Sequence, residues 1–196
     1  MLLNRYVKTL MLSTLLLSSA AVAEDLFVEV SAGYSSVSSS KSDKEGSITL
    51  DNKTDNSGSS FMLKAGYNYS KDIDISLNYQ RVSNDSISLN HYYTQLDYKF
   101  ITTKQYTPYI GGVLGYSKLD WTSKPIDTTK NDYNANSYTI GAVLGITYLI
   151  NENIDINMFY QVSYGDYVTS LEYQTNESEI QYNYINCFNI GLRYSF

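Results

Sequence analysis

The chain carries one histidine, His91, and one cysteine, Cys187. Either could act as a base, nucleophile or metal ligand, but only with partners. A serine hydrolase needs His beside an activated Ser, with an acidic group to orient it. His91 is followed by Tyr92-Tyr93-Thr94 and stands in no His-x-Ser arrangement. Asp74 and Asp97 could form a carboxylate dyad, but they read more simply as charges in a wet interior. One Cys and one His build neither a Cys/His metal site nor a disulfide framework within one chain. The expectation is therefore no catalytic residue, no metal, no cofactor and no enzyme.

These residues are positioned by alternating strands. Phe188 to Phe196 puts Phe188, Ile190, Leu192, Tyr194 and Phe196 on one face, with Asn189, Gly191, Arg193 and Ser195 on the other. That is the two-residue period of a strand. The same alternation marks Asp25–Tyr34, Phe61–Tyr69, Ile73–Gln80 and about 87–100, where Glu29, Lys64, Asp74 and Asp97 fall opposite the apolar face. It marks also about 107–120, 137–149, a strand beginning at Ile154, and a last strand from Ile180 to Phe196. Val113 blurs the phase of the fifth strand, and the fourth is firm only in its second half. Alternation slips at Asn186 and Cys187, where a bulge is expected. Ser35–Ser60 and Trp121–Ala135 are rich in Ser, Lys, Asp and Asn and read as solvated loops, with at most a short strand at Ile48 and Leu50.

The N-terminal stretch has Asn4, Arg5 and Lys8, then the apolar run Leu10–Leu17, then Ala21-Val22-Ala23. This reads as a Sec signal peptide, residues 1–23, cleaved after Ala23 with Ala21 and Ala23 as the small-residue site. No later apolar run reaches the about 20 residues of a transmembrane helix, so any span must be β. Losing Arg5 and Lys8 from 14 basic residues against 20 acidic ones makes the formal charge of −6 more negative by two. That is the wrong sign for a nucleic-acid partner. Tyr is abundant, with 21 residues, and suits both strands and membrane interfaces.

Alternation alone fits either a soluble lipocalin-type barrel, apolar inside, or a membrane barrel, apolar outside. Four features favour the membrane: the terminal Phe, tyrosines at strand ends, short turns alternating with long polar loops, and the lack of disulfides. The last strand resembles the C-terminal signal of bacterial outer-membrane barrels. That resemblance implies that Phe188, Ile190, Leu192, Tyr194 and Phe196 are read by the barrel-assembly machinery. The whole pattern resembles the small outer-membrane barrels that include the OmpA membrane domain, OmpX and the opacity-type surface proteins. The expected fold is all-β, an eight-stranded antiparallel up-and-down transmembrane barrel over residues 24–196 in the bacterial outer membrane. Segments 36–60, 83–86, 118–136 and 165–179 face outward, and 70–72, 101–105 and 150–153 are periplasmic turns.

Eight strands enclose just enough space for their own side chains, so Glu29, Lys64, Asp74, Asp97 and Arg193 are expected to form a polar interior network. A Glu29–Arg193 ion pair would join the first and last strands. Tyr67, Tyr69, Tyr98, Tyr116, Tyr148, Tyr160 and Tyr194 are expected as an aromatic girdle. Its partners would be outer-membrane lipids, lipopolysaccharide, the assembly machinery and a host or cell-surface ligand, with the protein a monomer. The functional expectation is a structural and adhesin-like surface protein. The alternatives are a narrow channel and, further off, a lipid-modifying enzyme such as some small outer-membrane barrels are. Mass spectrometry of the mature protein should find Glu24 as the first residue; an N-terminus upstream of Ala21 would remove the signal-peptide assignment.

Overall fold

The computed structural model describes residues 25–45, 48–85, 87–100, 103, 105–121, 130–131, 134–173 and 176–196. Its side-chain description leaves out 39–56, 121–134 and 169–180. The expected signal segment, with Ala21 and Ala23, lies outside the described residues.

The strands are β1 (Leu26–Glu45), β2 (Ile48–Ser70), β3 (Ile73–Ser83), β4 (Ile87–Lys99) and β5 (Tyr106–Trp121). They continue as β6 (Lys130–Asn131), β7 (Asn134–Leu149), β8 (Ile154–Tyr173) and β9 (Asn176–Ser195). All pairings are antiparallel, in the order β8-β7-β5-β4-β3-β2-β1-β9, and β9 pairs back onto β8 to close the sheet. Eight strands thus form the barrel, and the short β6 adds to β8 through Lys130↔Glu172, beyond the Thr139↔Gly165 end of the β7–β8 ladder. Closure gives every spanning strand two neighbours, which lipid requires because it offers backbone groups no hydrogen bonds.

The outer face of the span is apolar. Leu77, Leu96, Ile110, Leu114, Ile140, Leu144, Ile190 and Leu192 are all exposed on it. Tyrosines fix its height. Tyr106 and Tyr116, Tyr138 and Tyr148, and Tyr184 and Tyr194 bound the lipid-facing part of β5, β7 and β9. Each pair is about ten residues apart, about 33 Å along a strand. At a tilt of about 40° this is close to the apolar band of about 25 Å typical of such barrels. Neighbouring rings pack together in both belts: Tyr116–Tyr138 at 5.9 Å and Tyr164–Tyr184 at 5.3 Å above, Tyr106–Tyr148 and Tyr194–Phe196 at 5.1 Å below.

Three expectations are corrected. Ser35–Ser60 is not a loop: β1 and β2 run through it in one continuous ladder to Glu45↔Ile48, and Ile48 and Leu50 begin β2. A strand built almost entirely of polar residues shows no apolar periodicity and is marked only by its paired backbone, so period-based reading misses it. The 121–135 segment likewise contributes β6 and the start of β7. The irregularity expected at Asn186 lies instead where β9 passes from Tyr184 to Tyr182, opposite register shifts at Ser38/Ser39 and Tyr164/Tyr167. The closed sheet should make the protein heat-modifiable on gels: unboiled samples should migrate differently from boiled ones, and identical migration would contradict a closed barrel.

Candidate functional site

The inward residues of each strand alternate with the lipid-facing ones, so register alone places Glu29, Lys64, Asp74, Asp97 and Arg193 in the lumen. All five are buried, and they gather toward the periplasmic end with Lys99 and Asp155. Lys64 Nζ lies 3.8 Å from Glu29 Oε2 and 4.0 Å from Asp97 Oδ2. At those separations a water is needed to complete a hydrogen bond. Asp97 accepts from Gln95 Nε2 on both oxygens at 2.8 Å. Asn157 Nδ2 donates to Glu29 Oε2 at 3.0 Å.

Asp74 stands directly opposite Asp97 across β3 and β4, an unfavourable like-charge pairing. Two cations offset it. Arg193 Nη1 donates to Asp74 Oδ2 at 2.9 Å, and Lys99 Nζ lies 2.7 Å from Oδ1 in an ion-pair contact that lacks hydrogen-bond geometry. Arg193 Nη2 also donates to Asn68 Oδ1 at 2.7 Å, and its Nε lies 3.9 Å from Asp155 Oδ2. The expected Glu29–Arg193 pair is thus replaced. The two residues are backbone partners between β1 and β9, but the guanidinium crosses the lumen to β2 and β3. Phe27 provides its path: Arg193 Cζ sits 3.5 Å from the Phe27 ring centroid. Gly66 opposite makes room for that ring, because a Cβ there would run into it. Phe27 and Gly66 were legible as inward residues, but their role as a shelf for Arg193 was not.

Beside and above the charges the lumen changes character, with Tyr109 paired to Lys99, and Lys64 over the Phe159 ring. Met62, Tyr93, Tyr109, Val113, Val143 and Phe159 form one buried apolar cluster, crossed by hydrogen bonds from the Tyr93 hydroxyl to Gln161 Oε1 and from the Tyr109 hydroxyl to Asn157 Oδ1, both 3.0 Å. At the outer mouth Val37, Val82, Ile87, Leu89, Leu119, Ala135, Tyr167, Tyr182, Ile185 and Cys187 form a second. Seven of the eight barrel strands, all but β2, contribute to it. The interior is therefore not polar throughout, as expected from sequence; it is charged below and apolar at the outer rim. Around this rim the strands reverse their pattern. Val82, Leu89 and Leu119 point in while Arg81 and Lys118 are exposed outside, because the outer surroundings are now water. Burial raises the Tyr182 hydroxyl to about 12, so it adds no charge to this cap.

His91 lies just beneath the cap, fully buried, with Nε2 2.7 Å from Thr139 Oγ1 and its ring 4.3 Å from that of Tyr93. Both hydrogen-bonding partners sit inside the barrel, out of reach of lipid. Cys187 is a free, buried thiol. The aromatic residues divide between two belts: Tyr67, Tyr69, Tyr98, Tyr148 and Tyr194 lie at the periplasmic end and Tyr116 at the outer one. Tyr160 faces out but falls between them, opposite Leu144 and Phe188. On β9, Phe188, Ile190, Leu192 and Tyr194 are exposed on the lipid face, and Phe196 N donates to Leu26 O at 3.0 Å.

A closed antiparallel barrel with an apolar belt, aromatic girdles and a charged lumen is a transmembrane barrel of the bacterial outer membrane. The sequence model of the outer membrane protein beta-barrel domain matches residues 9–196, and the chain belongs to that family. The structure is similar to that of Neisserial surface protein A, with a TM-score of 0.60, 18% identity, and 87% of this chain and 97% of that one covered. It is also similar to OprG of Pseudomonas aeruginosa, with a TM-score of 0.59, 14% identity, and coverage of 89% and 98%. At these identities the likeness establishes the fold. No curated protein matches the chain.

The cross-lumen cluster depends on Asp74. Asp74→Ala leaves the buried Arg193 and the half-buried Lys99 without their shared carboxylate and should cost about 3 kcal/mol, read as a lower urea midpoint of the folded protein in micelles. Replacing Asp74, Lys99 and Arg193 together by apolar residues should recover much of that loss.

Proposed function

We propose that the protein is a surface-exposed structural and interaction barrel that works, adhesin-like, through the sheet it raises above the outer membrane. The observation that carries this reading is the extent of the outer ladder. The β1–β9 pairing continues past the upper tyrosine belt to Lys44↔Glu177, the β1–β2 pairing to Glu45↔Ile48, and the β8–β9 pairing to Tyr173↔Asn176. Four strands thus stand out of the membrane as one sheet. The β2–β3 ladder begins at Ser59↔Ser83, with Gly58 still beside Ser83, so residues 48–57 have no paired strand on that side among the described strands. An edge of this kind favours strand addition by an extended peptide of a host or cell-surface protein, with main-chain hydrogen bonds supplying affinity. The remaining partners in this reading are outer-membrane lipids, lipopolysaccharide and the barrel-assembly machinery, which would recognise Phe188–Phe196.

The competing readings have less support. A lipid-modifying enzyme needs a nucleophile within reach of lipid, whereas His91 and Thr139 face each other inside the barrel. An open channel needs a continuous wet path, whereas the outer mouth is packed with apolar side chains.

Binding of labelled cells to host matrix tests the reading. Placing prolines at Asp51 and Asp55, or exchanging residues 165–179, should lower binding about tenfold while heat-modifiability is kept. Unchanged binding by both folded variants would remove the raised sheet from the function.

A further inference from the structure

The two halves of the lumen suggest different relations to water. At the periplasmic mouth a cavity of about 160 Å³ opens between Lys99, Thr107, Thr147, Leu149, Asp155 and Arg193, enough for several waters. Deeper in, Glu29 Oε1, Asn78 Oδ1, Gln95 Oε1, both amide atoms of Asn189 and Arg193 Nε are buried without a protein partner. Buried polar atoms of this kind are satisfied by water. With the 3.8 and 4.0 Å gaps around Lys64, they form a polar path from the mouth into the middle of the barrel. Its charges do not cancel: Glu29, Asp74, Asp97 and Asp155 face Lys64, Lys99 and Arg193, one carboxylate in excess. At the other end the cap around Val37, Val82, Leu89, Leu119 and Ile185 is aliphatic, and only the Tyr167 and Tyr182 hydroxyls and the Cys187 thiol in it could replace part of an ion's hydration. Apolar constrictions stop ions by excluding water.

We propose that the apolar cap is the ion seal of this barrel, and that the polar side of the lumen beneath it, running past the Met62–Phe159 cluster along Glu29, Asn78, Gln95 and Asn189, is a hydrated vestibule, entered from the periplasm, that favours small cations over anions. The protein holds a latent cation path closed at its outer end. The proposal goes beyond the surface role of the raised sheet and is independent of it, since it concerns residues inside the barrel.

Leu89 and Leu119 are cross-strand partners on β4 and β5, both fully buried, so Leu89→Ser with Leu119→Ser opens one polar breach in the cap. A second variant, Val37→Thr with Val82→Thr, changes polarity with almost no change of volume. Each is compared with the native protein, full-length and mature, in planar bilayers under a potassium chloride gradient, after heat-modifiability has verified folding. The native barrel should be silent or nearly so. At least one folded cap variant should conduct about tenfold more current, with a reversal potential toward that of potassium. Adding Glu29→Gln and Asp97→Asn to the conducting variant should reduce the cation preference. Equal conductance by native and variant proteins would mean that the cap is no seal, and silent folded variants of both kinds would place the seal elsewhere. An opened pore that prefers chloride, or whose selectivity ignores Glu29 and Asp97, would overturn the vestibule's charge assignment. These outcomes leave matrix binding untouched, so failure here and failure of the adhesive reading are separable.

Discussion

The structure depends first on the backbone's need for hydrogen bonds where the solvent offers none. An unpaired peptide group in hydrocarbon costs several kcal/mol, so the sheet must close, and β9 must find both β8 and β1. Closing with eight strands fixes a narrow circumference, which in turn fills the lumen with side chains. Space inside is then limited enough that inward glycines matter. A Cβ on Gly111 would run into the Asp97 carboxylate, and one on Gly145 into the Tyr109 ring. Small residues face larger ones around the wall, and the wall's chemistry is expressed at its two ends.

A strand that passes from lipid into water must exchange the character of its two faces, and this exchange explains what was and was not legible. Within the span, polar-in and apolar-out alternation located every spanning strand and the inward position of all five charged residues. Just above the upper tyrosines the outside becomes aqueous while the inside stays enclosed, and the pattern inverts. Ile87 and Leu89 turn inward with Ser88 and Asn90 outward, which is why the first half of β4 had no clear phase. Val113 blurred β5 for a related reason: it belongs to an apolar layer inside the lumen. The soluble-barrel and membrane-barrel patterns, rivals when read over the whole chain, are both present in different stretches of the same strands.

The polar extensions of β1 and β2 were illegible for a different reason. Ser35–Ser60 is nearly all polar, so even where Ser35, Val37 and Ser60 are buried it shows no apolar period, and what holds it as strand is pairing: β1 is bonded to β2 on one side and to β9 on the other. Such pairing is a relation between segments more than 130 residues apart in sequence at Lys44↔Glu177, and local composition cannot express it. The partner of Arg193 was hidden similarly. Register correctly made it the neighbour of Glu29, but a guanidinium on a long stem is not confined to its cross-strand neighbour. The flat shelf of Phe27 over Gly66 and the doubly faced carboxylate of Asp74 direct it across the lumen.

One ladder connects these levels. The β1–β9 seam runs without interruption of pairing, apart from one register shift, from Phe27↔Ser195 at the periplasmic end to Lys44↔Glu177 beyond the membrane. Its lower part carries Arg193 and Glu29, its middle the lipid-facing Val30 and Leu192, and its upper part the core of the raised sheet. The same hydrogen bonds that close the barrel therefore hold that sheet in place. A recognition surface built on a closed barrel loses less conformational freedom on binding than a free loop would. Eight strands leave little room for a ligand inside, and the rigidity gained by filling that space is passed along the seam to the surface outside.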